Sequence, residues 1–225
     1  MKRITVLLAE DHMIVREGFR KMLELEADLQ VVGEAQDGRQ AIAQIKKLLP
    51  DVVLMDIAMP LLNGLEATRQ LVKAAPATKV IMLSAHSDDA YVKNAIESGA
   101  VGFLLKQTSA QDVCRAIREV HKGKTFFSPS ISKRIDHLNP QSITRAGMFK
   151  KSATHLTSRE IEVLQLIAEG KANKETAAHL GIGMKTVEKH REHVMQKLDI
   201  HDTAGLTRYA ISAGIIESSV QVTIV

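Results

Sequence analysis

Val52-Val53-Leu54-Met55-Asp56 sets four apolar side chains in a row and closes on a carboxylate, without the polar alternation of a strand that has one wet face. A short apolar run of this kind is a strand covered on both sides, as the central strands of parallel sheets are. Outward from it, further apolar runs occur at Ile4 to Ala9, Gln30 to Ala35, Lys79 to Ser84 and Gly102 to Leu105. Each is followed by an amphipathic stretch: Met13 to Leu25, Arg39 to Leu49, Leu65 to Ala74, Asp88 to Ser98 and Ser109 to Lys122. Gly33, Gly38, Gly64, Gly99 and Gly102 punctuate the joins. Strand then helix, repeated five times, specifies an α/β unit built on a five-stranded parallel sheet over residues 1–125.

Beyond residue 125 the alternation stops. Ser128 to Thr154 carries Pro129, Asn139, Pro140 and the pair Lys150-Lys151. Compact domains rarely hold so long a structureless loop, so residues 126–154 are expected to be a linker, with Ile131, Ile135 and Leu138 at helical spacing inside it. From 155 to 225 the period is helical only, at Arg159 to Glu169, Glu175 to Leu180, Lys185 to Leu198 and Thr203 to Ala213. Thr157 with Glu160 three residues later is a capping box. The second and third helices are separated only by Gly181-Ile182-Gly183-Met184, which is helix-turn-helix spacing. The tail Val220 to Val225 alternates like a strand and suggests no function.

With 225 residues, 45% hydrophobic and 25% charged, the chain has room for two cores and is neither wholly disordered nor fibrous. No run approaches the roughly 18 apolar residues of a membrane span, and the acidic pair Glu10-Asp11 interrupts the N-terminal segment before a signal-peptide pattern develops. A cytoplasmic protein without a membrane partner is expected. The single cysteine, Cys114, forms no internal disulfide, and beside Val113, Ile117 and Val120 it reads as a buried small hydrophobe. Residues 1–125 hold 17 basic against 16 acidic residues, and residues 126–225 hold 13 against 10, with six of the nine histidines. That mild basic excess permits nucleic-acid binding without requiring it.

Ligands of open parallel sheets collect beyond the carboxyl ends of the strands. Those ends deliver Glu10 and Asp11, Asp56, Ser84 and Lys106. Taken singly, each acid would be a helix-start residue. Taken together, three carboxylates on one edge repel unless a cation holds them, and Mg²⁺, a hard ion that takes a few carboxylates, a carbonyl and waters, suits the set. Neither a Walker loop nor a G-x-G-x-x-G string occurs, so nucleotide chemistry has little support.

Leu8-Ala9-Glu10-Asp11-His12, Leu54 to Pro60, Leu83-Ser84-Ala85 and Phe103-Leu104-Leu105-Lys106 resemble the receiver domain of bacterial two-component response regulators. The resemblance implies a flavodoxin-like, doubly wound fold. It also implies that Asp56 accepts a phosphoryl group from a sensor histidine kinase, and that Glu10, Asp11, Asp56 and the Ala58 carbonyl hold Mg²⁺. Ser84 and Lys106 would then meet the phosphoryl oxygens, and Phe103 would be the switch aromatic that turns inward with Ser84. Glu10 stands where many members carry aspartate, and its longer arm still reaches the metal. Gln107 stands where many carry proline after the lysine. A phosphohydrolase using Asp56 as nucleophile is the rival reading, but it needs a general acid two residues on, where this chain has Ala58; the chain is therefore not expected to be an enzyme.

Leu156 to Leu164, Ala168 to Glu175 and Lys185 to His190 resemble the LuxR-type DNA-binding domain, and the combination resembles the NarL/FixJ class of response regulators. This implies a small all-α helix-turn-helix domain in which Lys185 to Leu198 enters the major groove of double-stranded DNA. Lys174, Thr186 and His190 fall at phosphate-contact positions, while Glu188, Lys189 and Glu192 point outward toward bases. Val187, Val194 and Leu198 share the opposite face. Gly183 replaces a serine or threonine cap at a cost of a few tenths of a kcal/mol. The last helix, with Leu206, Ala210 and Ala213, offers either a small apolar patch for a homodimer formed on phosphorylation or local core.

Overall fold

The computed structural model of the chain describes residues 2–128, 131 and 156–216. It divides into two compact units, Met1–Ser152 and Ala153–Val225.

In the first unit, strands β1 (Ile4–Ala9), β2 (Leu29–Ala35), β3 (Val52–Asp56), β4 (Lys79–Ser84) and β5 (Gly102–Leu105) alternate with helices α1 (Met13–Glu24), α2 (Gly38–Leu48), α3 (Gly64–Ala74), α4 (Asp89–Ser98) and α5 (Ala110–His121). All strand pairs are parallel, in the order β2-β1-β3-β4-β5, and β6 (Phe126–Phe127) extends the edge. The sheet therefore has six strands where the sequence predicts five. Two residues carry no period, so β6 is set by tertiary contact: Phe126 N–H donates to the Val101 carbonyl at 3.1 Å, and Arg115 lies over the Phe126 ring. The predicted linker thus begins inside the sheet. Residues 129–130 and 132–154 of that linker, with Ile135 and Leu138, and the alternating tail from 217 onward lie outside the described residues.

The unbroken apolar run of β3 has a direct cause. Val53 and Met55 enter one core with Leu7, Ile45, Leu71 and Phe103, beneath α2, α3 and α4. Val52 and Leu54 enter the other, with Leu8, Leu23, Ile81 and Ile117, beneath α1 and α5. Both faces of the strand are dry, so neither set of alternate residues is free to be polar. Cys114 is buried in the second core, where burial raises its thiol pKa and leaves it inert.

The second unit is all helical: α6 (Ser158–Ala168), α7 (Asn173–Leu180), α8 (Met184–Leu198) and α9 (Thr203–Ser212). Its core gathers Val163, Leu164, Leu166 and Ile167 of α6, Val187 and Val194 of α8, and Leu206 and Ala210 of α9, all nearly or wholly inaccessible. The capping box closes in both directions: Glu160 N–H donates to Thr157 Oγ1, and Thr157 N–H donates to Glu160 Oε2 at 2.7 Å. Gly181 ends α7 with a φ of 62°, a left-handed turn that glycine adopts without steric cost and that lets α8 begin within three residues. Arg159 of α6 ties the turn down, donating to the Leu180 carbonyl at 2.8 Å while paired with Glu162 at 2.7 Å.

Candidate functional site

Strand order reverses between β1 and β3, so their carboxyl ends flank the crevice in which open α/β sheets bind ligands. Ala9 pairs with Met55 across this junction, which sets the next residues, Glu10 and Asp56, at one level. On the other side Asp56 pairs with Leu83, and Lys106 N–H donates to the Ser84 carbonyl at 2.8 Å. The register alone brings four of the predicted residues to one sheet edge.

Asp56 is 1% exposed and Glu10 is equally buried. Lys106 Nζ bridges them, 3.0 Å from Asp56 Oδ2 and 2.9 Å from Glu10 Oε2. Burial first, and the Glu10 charge second, push the Asp56 carboxyl up to about 7, although Lys106 pulls the other way. Burial by itself would lower the Lys106 pKa, but the Asp56 and Glu10 charges more than offset it and the net direction is up. One ammonium thus faces two buried carboxylates, with Asp11 half-buried beside them. Among the described residues, Asp56 Oδ1 has no hydrogen-bond donor. A buried carboxylate oxygen with no donor, among oxygen donors, fits a hard divalent cation such as Mg²⁺.

The remaining predicted residues take different positions. Ser84 ends β4, but its hydroxyl turns to the next loop, donating to the His86 carbonyl at 2.8 Å and accepting from the His86 N–H at 3.0 Å. Phe103 is fully buried in the core above β3. Ala58 is half-buried two residues past Asp56. Among the described residues no peptide bond is cis, including the one from Lys106 to Gln107.

Three contributors carry no role in the sequence reading. Arg16, 6% exposed on α1, donates from Nη1 to the Glu10 carbonyl at 2.7 Å and to the Asp11 carbonyl at 3.4 Å, and from Nε to Glu34 on β2 at 2.9 Å. It clamps the backbone that presents the acids. A signal exists, since Arg16 lies two turns from Leu23 on the buried stripe of α1, where an arginine has no packing reason to be. Gly64 opens α3 against Asp56, and a Cβ there would run into the Asp56 carbonyl oxygen. His12 Nδ1 sits 2.9 Å from Asp11 Oδ1 and 3.1 Å from Glu10 Oε1, and its pKa is raised chiefly by the Asp11 charge, against the opposing effect of burial.

On the helical unit, Lys174, Thr186, Glu188, Lys189 and Glu192 are exposed and His190 is half-exposed. Val187 and Val194 are buried, with Leu198 half-buried on the same face. Glu192 accepts from Gln196 at 3.3 Å along α8. Gly183 caps α8 without a side-chain hydrogen bond.

The comparisons agree with this geometry. The family described as the response regulator receiver domain matches residues 6–118, and that of bacterial regulatory proteins of the luxR family matches residues 154–210. The transcriptional regulatory protein DegU of Brevibacillus brevis is 35% identical over 89% of this chain and 89% of its own. The response regulator protein VraR of Staphylococcus aureus is 36% identical over 95% of this chain and 99% of its own. Among solved structures, RcsB from Salmonella enterica serovar Typhimurium, bound to promoter rprA with the phosphomimetic BeF3-, aligns at a TM-score of 0.58 with 26% identity, covering 92% of this chain and 98% of that one. A receiver joined to a LuxR-type DNA-binding domain defines a two-component response regulator that acts on transcription. The chain belongs to the NarL/FixJ class of that family. Among the described residues no helix is long and apolar enough to cross a membrane.

Proposed function

We propose that Asp56 is the phosphoacceptor and that its phosphorylation by a sensor histidine kinase promotes dimerisation and sequence-specific DNA binding in the cytoplasm. The observation that carries this reading is the buried Asp56 at the end of the central strand, held with Glu10 by one lysine at 3.0 and 2.9 Å. An Asp56 carboxylate oxygen attacks phosphorus as the bond to the kinase imidazole breaks, leaving the transferred oxygens to be neutralised. Phosphoryl transfer asks a protein mainly for position and opposite charge. Lys106 supplies a fixed ammonium, and the Ser84 hydroxyl donates to a phosphoryl oxygen once it leaves the His86 carbonyl. Phe103 fills the core behind that loop. Glu10, Asp11, Asp56 and the Ala58 carbonyl would hold Mg²⁺, which supplies charge neutralisation of the carboxylates and the phosphoryl oxygens.

On the helical unit Lys174, Thr186 and His190 contact phosphates, while Glu188, Lys189 and Glu192 face bases. Glutamate near DNA is repelled unless it accepts from a cytosine amine. Pairing two such domains joins two half-sites, which is why dimerisation is the regulated step. The absence of an acid at Ala58 supports a regulator over a phosphohydrolase. Acetyl phosphate with Mg²⁺ tests the acceptor: wild type should gain one phosphoryl mass and Asp56→Asn none. Equal labelling of the variant, or labelling that survives chelation, would refute the assignment.

A further inference from the structure

Accepting a phosphoryl group does not call for an imidazole on the acceptor chain, yet His12 places one against both acids of the β1 loop. One ligand atom from each of Glu10, Asp11 and His12 lies within 4.8 Å of the others. The His12 Nδ1 separations, 2.9 Å to Asp11 Oδ1 and 3.1 Å to Glu10 Oε1, are hydrogen-bond distances. They also match adjacent corners of an octahedron, which for bonds of about 2.1 Å stand about 3.0 Å apart. A cation could therefore replace the shared hydrogen with little movement of the three side chains.

A second observation comes from the neighbouring strand end, outside the three residues of that cluster except for Glu10. Asp56 is 1% exposed, Lys106 Nζ sits 3.0 Å from its Oδ2 and 2.9 Å from Glu10 Oε2, and among the described residues its Oδ1 has no donor. A dry oxygen left without a donor calls for a cation on its open side. His12 is 65% exposed, so its ring can follow an ion without disturbing the core.

We propose that His12 Nδ1 is a ligand of the divalent cation in this pocket, so that the site prefers imidazole-accepting ions such as Co²⁺ over Mg²⁺. This rests on the pocket being a cation site, as the proposed phosphoacceptor role requires. Carboxylates and waters alone suit Mg²⁺, whereas one imidazole nitrogen raises affinity for later divalent metals and adds nothing for Mg²⁺.

The test titrates the full chain with Mg²⁺ or Co²⁺ alone, for wild type, His12→Ala and Asp11→Asn. His12→Ala should lose about tenfold in Co²⁺ affinity and change Mg²⁺ affinity less than about twofold. The Co²⁺ form of wild type should show a hyperfine-shifted imidazole proton resonance that His12→Ala lacks. An unchanged Co²⁺ to Mg²⁺ ratio, or the same shifted resonance in His12→Ala, overturns the His12 role while leaving the Mg²⁺ site intact. If neither ion binds wild type, or if Asp11→Asn binds both as well as wild type does, the cation-site reading fails and the proposal with it.

Discussion

Asp56 is expensive to ionise where it stands, because burial and the neighbouring Glu10 hold its carboxyl at about 7 against an ordinary value of 3.8. A raised carboxyl stabilises the fold fully below the unfolded value, and that contribution is lost as pH climbs from about 4 through 7. Asparagine cannot ionise. In a chelator, Asp56→Asn should therefore melt about 4 °C or more above wild type at pH 8 and close to it at pH 4. Thermal scans giving the same difference at both pH values would contradict this origin of the shift. Arg16 makes a separate prediction, since it holds the Glu10 and Asp11 carbonyls rather than their side chains. Arg16→Ala should weaken divalent-ion binding about tenfold with the far-ultraviolet dichroism unchanged, because the acids lose their fixed spacing. An unaltered titration would mean that the loop holds itself. Neither effect was legible in the sequence. Residue type and position showed that Glu10, Asp11, Asp56 and Lys106 meet at one edge, but an arginine that bonds two backbone carbonyls leaves no motif, and its only trace is its place on an apolar stripe.

Among the elements, the regular ones were legible because period and burial coincide. β3 is apolar throughout because each face meets its own core, and α5 alternates because only one of its faces does. β6 was not legible, since two phenylalanines have no period and join the sheet through contacts far from their own residues. In the helical unit Glu160 serves two elements at once, capping α6 and pairing with Lys197 of α8 at 2.7 Å. Burial would raise its pKa, but the Lys197 and Thr157 hydrogen bonds outweigh it and the net shift is downward. A lowered carboxyl contributes stability above its unfolded value, here 4.5, and loses it as pH falls through the lower folded value. Glu160→Gln should thus destabilise the DNA-binding domain at pH 7 by about 1 kcal/mol, with the difference shrinking toward pH 3. Denaturant melts at the two pH values decide it, and a difference that does not shrink would place the effect in packing. On the proposed reading, the exposed positions of α7 and α8 divide into anchors, such as Lys174 on α7, and readers, such as Lys189 on α8. Lys174→Ala should weaken binding to all sequences alike and lower the salt slope by about one, whereas Lys189→Ala should cost about 1–3 kcal/mol at the preferred site alone. Binding isotherms on specific and random DNA that fall equally for both variants would remove α8 from the base edges.

For the whole molecule, the sequence shows two units because its period changes, from strand-helix alternation to helix alone, and the structure divides the chain into two compact units. What couples them is not written in any period. On the proposed reading, a phosphoryl group on Asp56 adds negative charge beside Glu10 and Lys106, and pairing of two chains is the response. Mass and DNA affinity should then rise together, which sedimentation at matched concentrations checks: a chain that binds DNA more tightly while staying monomeric contradicts the dimer step. Control of DNA binding through Asp56 is read from the affinity of the full chain for its preferred DNA, with and without beryllofluoride and Mg²⁺, for wild type and Asp56→Asn. Wild type should bind about tenfold or more tightly with the phosphoryl mimic, a gain of about 1.4 kcal/mol, while Asp56→Asn shows no change. Wild-type affinity that ignores the mimic, or an Asp56→Asn variant that responds as fully as wild type, would contradict control of DNA binding through Asp56.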